Sequence, residues 1–493
     1  MSAVNSNMSM RTKKNDVVKA REKANAELVN EVREDFERRK NMRRSLELQW
    51  QLNIDFVNGK QNNYISKFDA IAAAGKQFYW QGSEVYNHIL PMVEARLARL
   101  SGSVPDIRVI SQTGGAQQGG SGADGAGGEN SFGGSEKSNN SVTRLASGNL
   151  ADKIIRSAFQ NVNFNELAEQ AALWSELTGT AFYKVIWDSE VGEVIGTVNG
   201  TPVSQGDIKV MVCSPFEIYP DSLERLDVND CQSIIHARTY PCAFIKEIWG
   251  QKPDGETCVV IERYEKPDAL NPEGRLLIVA GDRLLYRGVL PFINEIGGRR
   301  GFPFVRQTSE RVAGSFYGRS VIERAIPVQR AYNAVKNRKT ELLNRLACGV
   351  LAVEEGSVDL ESLENDGLAP GKVIVYRQGM GAPKFMDTGG IPAELEREEE
   401  RLLDELTAIT GGQDLARAAA NSTASGVALQ ILTEQDNLRM KRARAAIARA
   451  CETVAVHVLR LYKQFVTVGR VARVVTDNII DAFYWQAEEL GCL

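Results

Sequence analysis

The sequence predicts an α+β chain that is mainly α, and three stretches carry the prediction. Residues 426–465 keep helical spacing with no proline, which at about 1.5 Å per residue spans about 60 Å. Residues 180–307 alternate with a period of two and are punctuated by Asn199-Gly200 and Gly281-Asp282, dipeptides that suit tight hairpins because such turns need positive φ. Residues 316–411 read as helix, small β-rich unit, helix. A helix of about 60 Å exceeds an ordinary domain diameter, so it needs partners beyond one compact core.

Composition bounds the possibilities. The chain has 493 residues, 43% hydrophobic and 25% charged, with a formal net charge of −4. That is ordinary for a soluble globular protein of several domains. It lacks the basic excess of a dedicated nucleic-acid binder. A protein that merely surrounds DNA stays compatible with it, because every phosphate a channel neutralises adds affinity and therefore friction. The seven cysteines, Cys213, Cys231, Cys242, Cys258, Cys348, Cys451 and Cys492, are scattered without a C-x-x-C pair. They suit free thiols in a reducing compartment better than a disulfide framework or a zinc site. The N-terminus has no apolar signal core, and no apolar run reaches the ~20 residues that span a bilayer.

In chain order, residues 1–15 are polar and expected to be disordered. From Asp16 to about Asn58 the pattern is helical, with Phe36, Met42, Leu46, Leu48 and Trp50 as apolar anchors. The basic run from Glu37 to Arg44 reads as a solvated helix face balanced by Glu31, Glu34, Asp35 and Glu37, in preference to a phosphate contact. A helix from Glu84 to Leu100 follows and stops at Pro105. Residues 112–138 are Gly-, Ser- and Gln-rich and expected to be a disordered loop, having too little apolar surface to offset ordering entropy. Two helices, Val142 to Phe159 and Asn165 to Thr178, precede the β-rich part, 180–307. Its first strand, Thr180 to Asp188, places Phe182 and Lys184 opposite Tyr183, Val185 and Trp187. A short helix is expected from Ala243 to Trp249.

After Gly318 the helix containing Pro327 runs to about Gly349, with Arg319, Arg324, Arg330, Lys336, Arg338, Lys339 and Arg345 against Glu323 and Glu341. The second helix, Ala393 to Thr410, is acidic, with Glu394, Glu396, Glu398, Glu399, Glu400, Asp404 and Glu405. Two antiparallel helices of opposite charge can pair within a subunit or between neighbours. Gly411 to Ser425 is a small-residue loop charged only at Asp414 and Arg417. After Phe465 come short strand-like pieces.

The usual catalytic constellations do not appear. "GLAPGKV", Gly367 to Val373, has the wrong glycine spacing for a phosphate loop and precedes a strand. The three histidines, His88, His236 and His457, sit on unrelated elements, which argues against a triad or a metal cluster. Asp221, Asp227 and Asp230 fit a turn-rich connection better than a Ca²⁺ loop. No enzyme activity, cofactor or metal is expected.

In order along residues 45–465, "DFVNGKQ" at Asp55, "NHILPMVEARLARLSGSVPDIRV" at Asn87, "ELTGTAFYKVIWD" at Glu176, "PFEIYPDSLERLDVNDCQSIIHARTY" at Pro215, "YGRSVIERAIPVQRAYNAVKNRKTELL" at Tyr317 and "NSTASGVALQIL" at Asn421 resemble the portal proteins of tailed bacteriophages. The resemblance implies a ring of copies of this chain, twelve in the virion, at one capsid vertex, made in the host cytoplasm. It implies a conduit for genome packaging and ejection that docks the terminase and later the head–tail adaptor, beside major capsid and scaffolding proteins. Double-stranded DNA would pass without sequence specificity, and no membrane is involved. The implied parts are a wing (16–315), stem helices (316–349 and 389–411), a clip (350–388), a tunnel loop (412–425), a long kinked helix (426–465) and a short tail (466–493) with the crown reduced or absent. Asp414, Arg417, Asn421, Ser422 and Thr423 would then face DNA. Arg338, Lys339 and Arg345 become channel-facing candidates, and Val373, Ile374, Val375 and Tyr376 a docking surface. A non-ring head-completion or scaffold protein, or a packaging-associated nuclease, are the alternatives.

Overall fold

A computed structural model describes residues 2–61, 84–101, 107–109, 135–198, 201–251, 253–293, 298–348, 350–356, 374–379, 383–386, 391–410, 426–476 and 479–490. In chain order the elements are α1 (Ser2–Met42), α2 (Arg44–Val57), α3 (Ile89–Ser101), α4 (Ser135–Asn161), α5 (Phe164–Thr178), β1 (Thr180–Asp188), β2 (Val194–Val198), β3 (Thr201–Ser204), β4 (Asp207–Cys213), β5 (Ile218–Pro220), β6 (Ser233–Pro241), α6 (Cys242–Trp249), β7 (Thr257–Glu265), β8 (Arg275–Ala280), β9 (Arg283–Gly288), β10 (Phe304–Thr308), α7 (Ile322–Cys348), β11 (Val350–Ala352), β12 (Lys384–Met386), α8 (Ala393–Thr410), α9 (Gly426–Phe465), β13 (Arg470–Thr476) and β14 (Ile479–Trp485). The chain divides into two compact units, one of residues 1–54, 93–321 and 426–493, the other of residues 55–92 and 322–425.

The first unit is built on two antiparallel sheets, β10-β1-β4 and β5-β6-β7-β8-β9. The expected hairpin at Gly281-Asp282 is present: Ala280 faces Arg283, and Gly281 takes φ +62°. Val198 faces Thr201 across the other two-residue connection, whose turn residues, 199–200, lie outside the described residues. β1 does not separate core from solvent as its alternation suggests, because Thr180 to Val185 are all buried. It is the central strand of its sheet and has a core on each face. Tyr183 and Val185 join α4, α5 and α9 on one side; Phe182 joins Trp50, Phe304, Phe316 and Tyr317 on the other. Lys184 tolerates this burial because Glu262 lies 2.6 Å from its ammonium.

Helix α9 is assigned without interruption over Gly426–Phe465. From Met440 it buries Ala443, Ile447, Ala450, Val454, Val458 and Leu461 at helical spacing. The strand-like pieces after it form the hairpin β13–β14, with Arg470 opposite Trp485. Trp485 is buried against Tyr462, ring centroids 5.4 Å apart, so this segment belongs to the core.

Three expectations change. Helix α1 starts at Ser2, not Asp16, since no proline or glycine interrupts residues 2–42. Residues 135–138, expected in the Gly-rich loop, begin α4, while 110–134 lie outside the described residues. The run from Glu37 to Arg44 is solvated only in part: Glu37, Arg38, Lys40 and Arg44 are exposed, but Arg39 and Arg43 are 3% and 0% exposed. Arg39 donates to the carbonyls of Tyr219 and Ser233 at 3.1 Å each. Val29, Val32 and Phe36 on the same helix pack onto the five-stranded sheet, so the helix lies against protein where the charge pattern suggested water.

Two glycines from the recognised motifs, Gly179 and Gly318, press backbone to backbone. A Cβ on Gly179, at φ +88°, would sit 2.5 Å from the Gly318 carbonyl oxygen. A Cβ on Gly318 would sit 2.4 Å from the Gly179 oxygen. Neither position has room for a side chain.

Candidate docking and channel elements

The second unit holds the helix pair and the β-rich unit that the sequence singled out. In α8, Leu395, Glu399, Leu402 and Leu406 recur at helical spacing, and Leu402 and Leu406 are buried. Glu399 therefore occupies a place in the apolar stripe. On α7 the stripe of Ala325, Gln329, Tyr332 and Asn333 is buried and leads on to Lys336. The helices meet there: Lys336 Nζ lies 2.6 Å from Glu399 and Lys339 Nζ 3.1 Å from it, with Glu396 3.5 Å from Lys339. Advancing along α7 means retreating along α8, so the pair is antiparallel. Burial works to raise the Glu399 carboxyl, but hydrogen bonds from Lys336 and Lys339 outweigh it and hold the group below its ordinary value. The hydrogen bond to Glu399 raises both lysines.

The pairing gives Lys339, one of the channel-facing candidates, partners within its own chain: its ammonium is engaged by Glu396 and Glu399. Arg338, one position earlier, is exposed and carries no ion pair among the described residues. The side chain of Arg345 lies outside the described ones, although its backbone continues α7.

A polar lock that sequence reading missed braces the base of α7. Gly59 takes φ +78° and closes α2, with the Lys60 N–H donating to Asp55 O at 2.8 Å. That turn delivers Gln61, whose amide donates to Phe56 O at 3.0 Å and accepts from Asn333 Nδ2 at 2.7 Å. Gln329 donates to Asn333 Oδ1 at 2.9 Å and to Tyr86 O at 2.7 Å. Gln61, Gln329 and Asn333 are all buried. The glycine and glutamine of "DFVNGKQ" were visible as a motif; their partners, some 270 positions away, were not.

At the β-rich unit, β11 and β12 pair antiparallel with Val350 opposite Met386. Of the proposed docking residues, Ile374 is half-buried, while Val375 and Tyr376 are 80% and 48% exposed. Val373 lies outside the described residues. So does the whole loop 411–425, with Asp414, Arg417, Asn421, Ser422 and Thr423. Elsewhere, the aspartates read as turn residues act so: Asp227 Oδ1 accepts from the Val228 N–H at 2.8 Å, and Asp221 pairs with Arg225 at 3.0 Å.

Residues 269–487 match a family model described as Phage P22-like portal protein. The match spans both helices of the pair, the β-rich unit between them, the loop 411–425 and α9. The resemblance read from the sequence is therefore shown over that part of the chain. No curated protein matches the chain. One solved structure, described as "Neck of empty GTA particle computed with C6 symmetry", aligns at 13% identity over 64% of this chain and 69% of that one, with a TM-score of 0.27. Overlap that weak carries no argument about this chain.

Proposed function

We propose, starting from the P22-like portal character of residues 269–487, that this chain is a portal subunit: copies form a ring at one capsid vertex through which the genome enters and leaves. The observation that carries the reading is the family match over the stretch where helix, β-rich unit, helix, loop and long helix follow one another. In this reading α7 and α8 are the stem, and their ion pairs hold each subunit's two helices as one strut. Residues 350–388 are the tip that meets the terminase during filling and the head–tail adaptor afterwards. The exposed Val375 and Tyr376 supply apolar contact area there. The loop 412–425 faces the DNA through small neutral side chains, with Asp414 and Arg417 nearly cancelling, so that duplex slides past without being gripped. Arg338, Lys339 and Arg345 are the basic candidates on the stem, Lys339 with its ammonium paired to Glu396 and Glu399. The role is structural, not catalytic.

Negative-stain imaging and native mass spectrometry of the purified full chain test this. Annular particles with a central opening are expected. A monomer, an elongated non-annular particle or an open filament under all conditions would overturn the ring and favour a scaffold-type role.

A further inference from the structure

We propose that Cys213, Glu217 and His236 form a binding site for a divalent transition metal, zinc being the ion that suits the donor set. Cys213 ends β4, Glu217 directly precedes β5, and His236 lies within β6. The fold brings these three separate segments together on one side of the imidazole. His236 Nε2 lies 3.8 Å from Cys213 Sγ and 3.6 Å from Glu217 Oε2, and the three donor atoms all lie within 4.8 Å of one another. A tetrahedral zinc ion, with bonds of about 2.0–2.3 Å, needs ligand atoms about 3.3–3.6 Å apart. The two separations to His236 thus stand within a few tenths of an ångström of binding distance, and the Cys213–Glu217 pair, within 4.8 Å, would close on the ion.

The surroundings fit a ligand set as well as the distances do. The far ring nitrogen, Nδ1, lies 3.2 Å from Glu262 and 3.3 Å from the Lys184 ammonium, and with its N–H turned to the carboxylate Glu262 would fix the orientation and basicity of a metal-bound imidazole. Lys184, 2.6 Å from Glu262, holds that carboxylate in turn. Glu217 Oε2 is buried and, apart from the imidazole nitrogen 3.6 Å away, has no partner, an expensive state for a carboxylate oxygen that a metal bond would relieve. Cys213 is buried as a free thiol. Zinc entering would displace the thiol proton, and any proton on Nε2, to solvent. The loaded site is neutral, because the Lys184 ammonium and the dication balance the Cys213 thiolate, Glu217 and Glu262. Glu217 also lines a surface groove with Phe216, Arg238 and Thr239, so one of the three ligands borders solvent. Because Cys213 belongs to the three-stranded sheet and His236 to the five-stranded one, the metal would clamp the two sheets together. Cys213 and Glu217 stand four positions apart and His236 nineteen further on, a spacing unlike the paired Cys and His motifs of common zinc sites.

The test uses the full chain stripped with a chelator and then given zinc or cobalt(II). We expect about one zinc per chain to survive gel filtration, a higher thermal unfolding midpoint with zinc than without, and a thiolate-to-cobalt charge-transfer band. Cys213→Ser should abolish that band, and the isosteric Glu217→Gln should weaken zinc retention about tenfold or more. Failure of the wild-type chain to retain zinc, or a cobalt spectrum without a thiolate band, would overturn the site whether or not the variants fold. A Cys213→Ser protein that folds and retains zinc undiminished would overturn it equally.

Discussion

A guanidinium with no exposed surface must be satisfied on every side, and Arg43 is. It donates to the carbonyls of Pro215, Phe216 and Ile218, to the Tyr317 hydroxyl and to Glu47, while its carbon lies 3.4 Å from the Tyr219 ring centroid. Truncating it would strand several buried acceptors at once and leave a cavity beneath Tyr219. Arg43→Ala should therefore cost about 3–5 kcal/mol, and Arg43→Lys less, since the ammonium keeps the charge but loses the planar fork. Urea denaturation of both variants measures this, and a loss under about 1 kcal/mol for the alanine would contradict the assignment. His457 is the opposite case. Its buried Nδ1 has no partner; burial, aided by Arg460, lowers its pKa from 6.5 to about 4. The unfolded chain then binds the proton more readily than the folded one between those values. Stability from this group is full above pH 6.5 and lost as pH falls towards 4. His457→Leu should make the denaturation midpoint fall less between pH 7 and pH 4.5 than it does in the wild type. An unchanged pH profile would mean that the imidazole titrates normally.

Helix α8 runs over the residues read from its sequence, Ala393–Thr410, and so does α9. Both were legible because the apolar stripe, the double glycine after Thr410 and the absence of breakers are local signals. What α7 and α8 do with their charges was not legible, since a basic and an acidic helix can pair within one chain or across two. Only the fold places Glu399 against Lys336 and Lys339. The same limit hid Gln61 from Asn333 and Arg43 from its carbonyls, because burial of a polar side chain depends on acceptors far away in sequence. The β-rich core was easier to foresee, since alternation and turn dipeptides act over a few residues; which faces of β1 were covered was not. The strut makes a quantitative prediction. Lys336→Glu and Glu399→Lys should each destabilise the protein, and the exchanged double variant should recover part of the loss, a coupling of about 1 kcal/mol for this partly exposed pair. The coupling should shrink in high salt. Additive losses from the two single changes would mean that the observed ion pair contributes no interaction of its own.

At the scale of the whole molecule the question is what a conduit must not do. Double-stranded DNA carries about one charge per 1.7 Å of axis, so a ring that presented a basic lining in every subunit would bind it tightly and resist its movement. If the chain is such a conduit, its net charge of −4, the internal pairing of Lys336 and Lys339, and a loop charged only at Asp414 and Arg417 would all act against such grip. If the loop 412–425 is where the ring meets DNA, its small polar side chains would serve contact and retention, leaving assembly to the helices and sheets. Deleting Ala416 to Ser422 should then leave annular particles of unchanged mass by native mass spectrometry. The same deletion should lower the amount of genome packaged, or retained after packaging, in particles assembled with the variant. The two readouts separate the possibilities: loss of the annulus would make the loop part of the subunit contacts, and full packaging with an intact annulus would place the DNA-facing surface elsewhere in the chain.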